Sequence, residues 1–349
     1  MADKTLSIFE LVKSNEIAAM WDMNANNRAP YVGETLFPNQ KKLGLDLKWI
    51  KGAKGLPVVL DPSAFDTPAK LGTRIKFDTL SAEMPFFKKA LSINETLRQE
   101  LNKVMETGKQ AYIDSVLEMV FKDDMTLMEG AAAQRERMRM MALTTGAIDI
   151  VANGQNYSFD YHIPAGHKKT AGTSWATSTT DIVKDILDWQ DVIENDTGVK
   201  PTRAICNRKT FNYIQNNENI RKAIYVMSNG VGMINEQVIK DYIYNVTGVD
   251  IVVNNKKYID EAGATKQYVA DDVFVLFPEG NLGSTWFGTT PEESDLMTYS
   301  AANVSIVDTG VAITTTKETD PVNVKTKVSM ICLPSFEAAD HVLIGDVTP

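Results

Sequence analysis

The spacing of apolar positions changes period several times along this chain, and each change marks a different kind of element. Between Ser92 and Thr144, Leu97, Leu101, Val104, Gly108, Tyr112, Val116 and Met119 recur at three- and four-residue steps, which predicts one long helix. Unbroken, it would reach roughly 75 Å, against a radius of gyration of about 20 Å for a compact chain of this size, so an elongated subunit is expected. Gly130 costs about 1 kcal/mol against Ala inside a helix, and a bend or break is expected there. Upstream, Leu43, Leu45, Leu47 and Trp49 alternate with other positions, as do Leu71, Thr73, Ile75 and Phe77. Period two predicts the limbs of a β ribbon, joined by KGAKGLPVVLDPSAFDTPAK. Two strands cannot bury an apolar face against each other, so the ribbon is expected to lie on something other than its own core. The N-terminal stretch predicts a helix over Thr5–Met20, then an extended arm in which Pro30, Gly33 and Pro38 exclude regular structure.

Beyond the long helix, Ile148–Ala152 and Gln155–Ile163 flank Asn153-Gly154, a dipeptide that favours a tight hairpin turn. Tyr157, Phe159, Tyr161 and Ile163 then fall on one face. From Asp181 the pattern becomes α/β. Helices are predicted over Asp181–Asn195, Lys209–Asn216, Asn219–Tyr225 and Asn235–Asn245, with strands at Thr202–Cys206, Val249–Val253, Val273–Phe277 and Ser284–Phe287. The tail returns to strand at Val304–Val307, Val311–Thr316 and Val322–Leu333. The β-rich segments on either side are similar in pattern, so the α/β part reads as an insertion into a domain that is discontinuous in sequence.

Composition narrows the function classes. With 44 % hydrophobic and 23 % charged residues the chain is an ordinary water-compatible one. No apolar run is long enough to span a bilayer, and MADKTLSIFELVKSNE lacks a basic-then-apolar signal, so neither export nor membrane insertion is expected. The net charge of −9 is uneven: residues 39–90 hold ten Lys/Arg against five Asp/Glu, and the other 297 residues carry 26 against 40. A basic segment on an acidic body suits contacts between neighbouring copies, with Lys41, Lys42, Lys48, Lys51 and Lys54 as the cationic side. Leu45, Leu47, Trp49, Ile75 and Phe77 supply the ribbon's apolar face. Cys206 and Cys332 read as buried free thiols. His162 and His167 lack the helical spacing and further ligands of a metal set, no phosphate-binding or nucleophile motif occurs, and pairs such as Asp271-Asp272 are ordinary element ends. No catalytic, cofactor-binding or metal-ligating residues are expected, and no enzyme.

The order of parts resembles the major capsid proteins of tailed bacteriophages with the Hong Kong 97 fold, and more narrowly the lambda-like capsid protein E family. The likeness is carried by ETLFPNQKKLGLDLKWIKG, PSAFDTPAKLGTRIKFDTLSAEMPFF, EGAAAQRERMRMMALTTGAIDIVANG, TSWATSTTDIVKDILDWQDVIENDTGVKPTRAICNRKTFNYIQNN and SMICLPSFEAADHV. It implies an α+β capsid fold in several parts. Residues 1–38 would form an N-terminal arm and 39–90 an extended loop. Residues 91–178 and 303–349 would form a discontinuous peripheral domain with a spine helix over 92–144, and 179–302 an inserted α/β axial domain. It further implies a structural subunit that self-assembles into hexamers and pentamers of an icosahedral shell around phage double-stranded DNA. The extended loop would lie on the neighbouring subunit.

Implied partners are further copies of the chain, a scaffolding protein, a portal and a decoration protein, with DNA enclosed without sequence readout. Assembly is expected in the host bacterial cytoplasm, and the product is the virion capsid. An encapsulin-type nanocompartment shell is the rival within the same fold. An enzyme of unrecognised family is the rival outside it.

Overall fold

The computed structural model describes residues 13–24, 28–51, 78–93, 95, 99, 103, 110–152, 154–227, 234–298, 303–319 and 322–348. In chain order the elements are α1 (Ser14–Met23), α2 (Val32–Leu36), β1 (Asn39–Lys41), β2 (Asp46–Lys51), β3 (Asp78–Glu83) and β4 (Phe86–Ile93). The long helix α3 (Gln110–Thr145) leads to β5 (Ala147–Ala152), β6 (Gln155–Asp160) and β7 (Lys168–Thr170). Then come α4 (Ile182–Thr197), β8 (Arg203–Cys206), α5 (Arg208–Asn216), α6 (Glu218–Met227), α7 (Glu236–Thr247) and β9 (Asp250–Val253). The chain continues through β10 (Lys257–Ile259), β11 (Thr265–Gln267), β12 (Val273–Phe277), β13 (Thr285–Phe287) and α8 (Pro291–Thr298). It closes with β14 (Asn303–Val307), β15 (Val311–Thr319), β16 (Val322–Pro334) and β17 (Leu343–Asp346). The elements divide into two compact units.

The α/β unit comprises Lys48–Ser81, Arg139–Gly283 and Ser335–Pro349. Its helices start and stop where local chemistry dictates. Asp181, Asn207 and Asn235 each accept a hydrogen bond from the backbone N–H three residues on, at 3.1, 2.8 and 3.0 Å, which caps α4, α5 and α7. Gly198 and Gly248 end α4 and α7 in the left-handed conformation that a side chain disfavours. The sheet runs β7-β17-β12-β8-β9, with β8 and β9 parallel and β12 antiparallel to both its neighbours. Its core is apolar and aromatic. Trp175 and Trp189 stack at 5.6 Å, with Phe274 5.2 Å from Trp175. Gly345 lets β17 approach this stack, since a Cβ there would lie 2.4 Å from the Trp189 ring. The β5–β6 hairpin forms as its Asn-Gly dipeptide predicts, with Gly154 at φ +73°.

The sheet unit comprises Met1–Leu47, Ala82–Met138 and Ser284–Pro334. Its frame is β16, a strand of 13 residues and roughly 40 Å. β15 pairs along one edge of β16, β4 and then β13 along the other, and β14 and β1 extend the sheet outward. Alternation assigns the faces. Thr315, Thr326 and Leu91 are in register and share the face that also carries Asn303, the residue that binds α1. Ser329 lies on the opposite face, where Glu292 of α8 accepts its hydroxyl at 2.8 Å and pairs with Lys327.

Several predicted boundaries shift. β4 runs through Ser92 and Ile93, so the helix expected from Ser92 begins farther on; Glu95, Gln99 and Lys103 are helical. The sequence FFKKALSI has no clean alternation, and the ladder to β16 holds it extended. Helix α3 passes unbroken through Gly130, because burial of Leu127, Met128, Ala131 and Ala132 outweighs the glycine's cost. Leu97, Leu101, Val104 and Gly108 of the predicted stripe lie outside the described residues, as do residues 5–12 of the helix predicted over Thr5–Met20. The segment expected to exclude regular structure contains a helical turn, α2, spanning Gly33. At the other end, β17 joins the α/β sheet while β13 joins the long sheet, so strand pairing crosses the boundaries expected at residues 302 and 303.

Candidate functional site: arm and ribbon root

The N-terminal segment is held on its own sheet by polar clasps. The Ser14 hydroxyl donates to Asn303 Oδ1 at 2.5 Å and lies 2.9 Å from Ser305 Oγ, while Ile17 and Trp21 are buried. Trp21 Nε1 donates to Asp308 Oδ1 at 3.0 Å, and Arg135 Nη2 of α3 donates to Asp308 Oδ2 at 2.7 Å. One carboxylate thus ties α1, α3 and the β14–β15 turn together. That turn holds Asp308 and Thr309 at φ +46° and +76°, left-handed values unfavourable for both residues. Arg28 lies over the Trp21 ring at 3.2 Å and donates to the Trp21 carbonyl. Farther along, the Gly33 N–H donates to the buried Glu136 carboxylate at 3.0 Å, and β1 pairs in parallel with β13. The segment expected to form an extended arm is, over its described residues, woven into the sheet unit.

The ribbon is present as β2 paired with β3. At its root, Lys41 Nζ pairs with Glu293 at 2.5 Å and donates to the Gly288 carbonyl at 3.1 Å; the half-buried Lys42 donates its N–H to the Phe287 carbonyl. Along β2 the burial alternates, with Leu47, Trp49 and Lys51 buried and Asp46, Lys48 and Ile50 exposed. Trp49 is 6 % exposed and lies 5.6 Å from Phe159 and 6.0 Å from Tyr161; Tyr161 in turn meets Phe336 at 5.7 Å. Lys51 donates to the His162 carbonyl and forms a 2.8 Å ion pair with Asp340. The left-handed φ of His162, +53°, belongs to the residue whose carbonyl accepts that bond.

These contacts engage part of the expected intersubunit set within its own chain. Leu47, Trp49 and Lys51 are buried within the single chain, with Trp49 against Phe159 and Tyr161 of the hairpin and Lys51 on the His162 carbonyl and Asp340. Lys41 is likewise engaged with its own chain. Leu45 at 44 % exposure, Ile50 at 46 %, Leu43 at 73 % and the exposed Lys48 remain outward. Lys54, Ile75 and Phe77 lie outside the described residues. Sequence reasoning missed Asp308, Arg135 and Asp340, whose partners are distant in sequence. The available signal was RERMRMM, a charged run inside a helix segment otherwise rich in Met and Ala.

Among the described residues no group of three or more His, Cys, Asp or Glu side chains could hold a metal ion, and no helix is long and apolar enough to cross a membrane. Cys206 and Cys332 are buried and outside any disulfide among the described residues, and burial pushes the Cys206 thiol up to about 12, which suppresses its reactive thiolate.

Comparison with known proteins agrees with this architecture. The family described as phage major capsid protein E matches residues 14–347. A prophage protein of E. coli CFT073 described as a capsid protein superimposes with a TM-score of 0.63 at 14 % identity, covering 96 % of this chain and 99 % of the other. A phage-related protein from Bordetella bronchiseptica RB50 gives 0.53 at 12 % identity, covering 94 % and 96 %. The capsid of cyanophage P-SCSP1u gives 0.50 at 12 % identity, covering 91 % and 88 %. No curated protein matches the chain in sequence. At such identities the structural likeness shows the fold alone, and it is the α+β capsid fold that the sequence pattern led to expect. The match over nearly the whole length places the chain in the phage major capsid protein E family.

Proposed function

We propose that this chain forms the hexamers and pentamers of an icosahedral shell that encloses double-stranded phage DNA, with the ribbon reaching over a neighbouring subunit. The chain is a structural capsid subunit of the virion and not an enzyme, as its family is structural, and the encapsulin reading is not favoured. The observation that carries the finer reading is the division of the ribbon root. Trp49 and Lys51 anchor β2 to the chain's own hairpin, while Leu43, Leu45 and Ile50 remain outward without cover in the single chain. Single exposed apolar residues are ordinary, but three beside an anchored strand that leads to the ribbon suit contact with another copy. The acidic excess outside residues 39–90 supports a container that repels rather than binds the DNA inside it. A scaffolding protein, a portal and a decoration protein are the partners proposed, with assembly in the host bacterial cytoplasm.

Expression with a scaffolding protein, followed by sedimentation and negative-stain microscopy, tests the proposal. Closed particles built from rings of six and five subunits are expected. A monodisperse monomer at tens of micromolar, with and without the scaffold, would contradict it.

A further inference from the structure

Asp124 lies on α3 in the sheet unit and is 4 % exposed. The Thr326 hydroxyl of β16 hydrogen-bonds its carboxyl, while its Oδ2 is buried with no hydrogen-bond partner. A carboxylate here would be dehydrated, with a donor on one side and a buried oxygen left unpaired, which favours the protonated form.

The surrounding charges do not compensate. On its own helix Lys122 and Asp123 are adjacent, and Asp123 acts against ionisation. β16 turns Val324, Thr326 and Val328 to this face, all uncharged. Lys317 of β15 is in register with Val324 and Lys89 of β4 with Val328, and both are exposed at the sheet's surface. Helix α1, packed on β14 and β15, brings Glu16 and follows Lys13. None of these cations is among the charges acting on Asp124.

We propose that Asp124 is a proton-operated switch in the contact between α3 and β16: protonated, it holds the helix to the sheet, and ionised, it loosens the helix. Burial raises the carboxyl from its ordinary 3.8 to about 6, with Thr326 opposing and Asp123 adding to the rise. The folded state therefore holds this proton where the unfolded chain has released it. The stabilisation is complete below about 4 and is lost as pH rises through about 6, the reverse of an ion-paired carboxylate. A capsid subunit with this device would keep a bistable element in its longest helix, biased by pH.

The test compares urea unfolding of wild type and Asp124→Asn from pH 4.5 to 8. Relative to the variant, wild type is expected to lose about 30-fold in its folding constant between pH 4.5 and 8, the part of the shift from 3.8 to about 6 that falls in this window. Thr326→Val removes the single donor and should move the wild-type transition to higher pH. Parallel profiles for wild type and Asp124→Asn would overturn the proposal. If Asp124→Asn does not fold, amide exchange of wild type decides instead. Corrected for its intrinsic pH dependence, exchange in residues 121–128 and 324–328 should quicken above pH 6, and a flat profile would overturn the switch.

Discussion

The α/β unit and the sheet unit solve the same burial problem with different chemistry. In the first, Trp175, Trp189 and Phe274 fill an apolar core and the helices carry their own caps, so each element is stable for local reasons. In the second, α1 and α3 are fixed through Ser14, Asn303, Asp308, Arg135 and Asp124, polar groups buried in or near the contact. Apolar burial is non-directional and scales with area, whereas a buried polar clasp leaves its remaining partner unsatisfied when one side is removed. The contrast teaches that the sheet unit holds its helices through a few long-range polar clasps, while the α/β unit relies chiefly on packed rings and local caps.

The largest expected effect is at the ribbon root. Trp49→Ala should lower the stability of the unassembled subunit by about 4 kcal/mol in urea unfolding, because it empties an aromatic site in the α/β unit. An unchanged midpoint with lost assembly would return Trp49 to the neighbour's surface. Next, Asp308→Ala should cost about 3 to 4 kcal/mol by leaving Arg135 buried without its carboxylate, and the Asp308→Leu, Arg135→Met double variant should recover most of the loss. Additive losses in the double variant would show that the site is ordinary packing rather than a charge clasp. Gly345→Ala should cost about 2 kcal/mol by pushing into the Trp189 ring, an overpacking effect insensitive to salt. The smallest effect is Lys41→Ala, about 0.5 to 1 kcal/mol and shrinking at high salt, because its pair with Glu293 is partly exposed.

The same contrast explains what could be read from sequence. Helices α4 to α7 and strands β8, β9 and β12 follow their predicted positions within a few residues, since caps, period and glycine stops lie within each segment. The capsid fold was legible from the order of these parts. In the sheet unit, contacts join residues far apart, as with Ser14 and Asn303, separated by 289 positions, or Lys41 and Glu293, separated by 252. Nothing local marks such partners, so β4, the docking of α1 and the Asp308 clasp were invisible. On β2 the alternation was read correctly, yet its cover was not, because Phe159 and Tyr161 lie more than 100 residues away. Lys51 reads as an outward charge by residue type although it continues the buried phase of β2, and only the His162 carbonyl and Asp340 make that burial tolerable.

Amide exchange measured on the free subunit and on assembled particles tests most directly the claim that the ribbon root is anchored within one chain and reserves its outward positions for another. The account predicts that residues 47–51 and the β5–β6 hairpin are already protected in the free subunit, and that residues 43–46 gain protection only on assembly. Equal exposure of both stretches in the free subunit, with both becoming protected together in the particle, would contradict it.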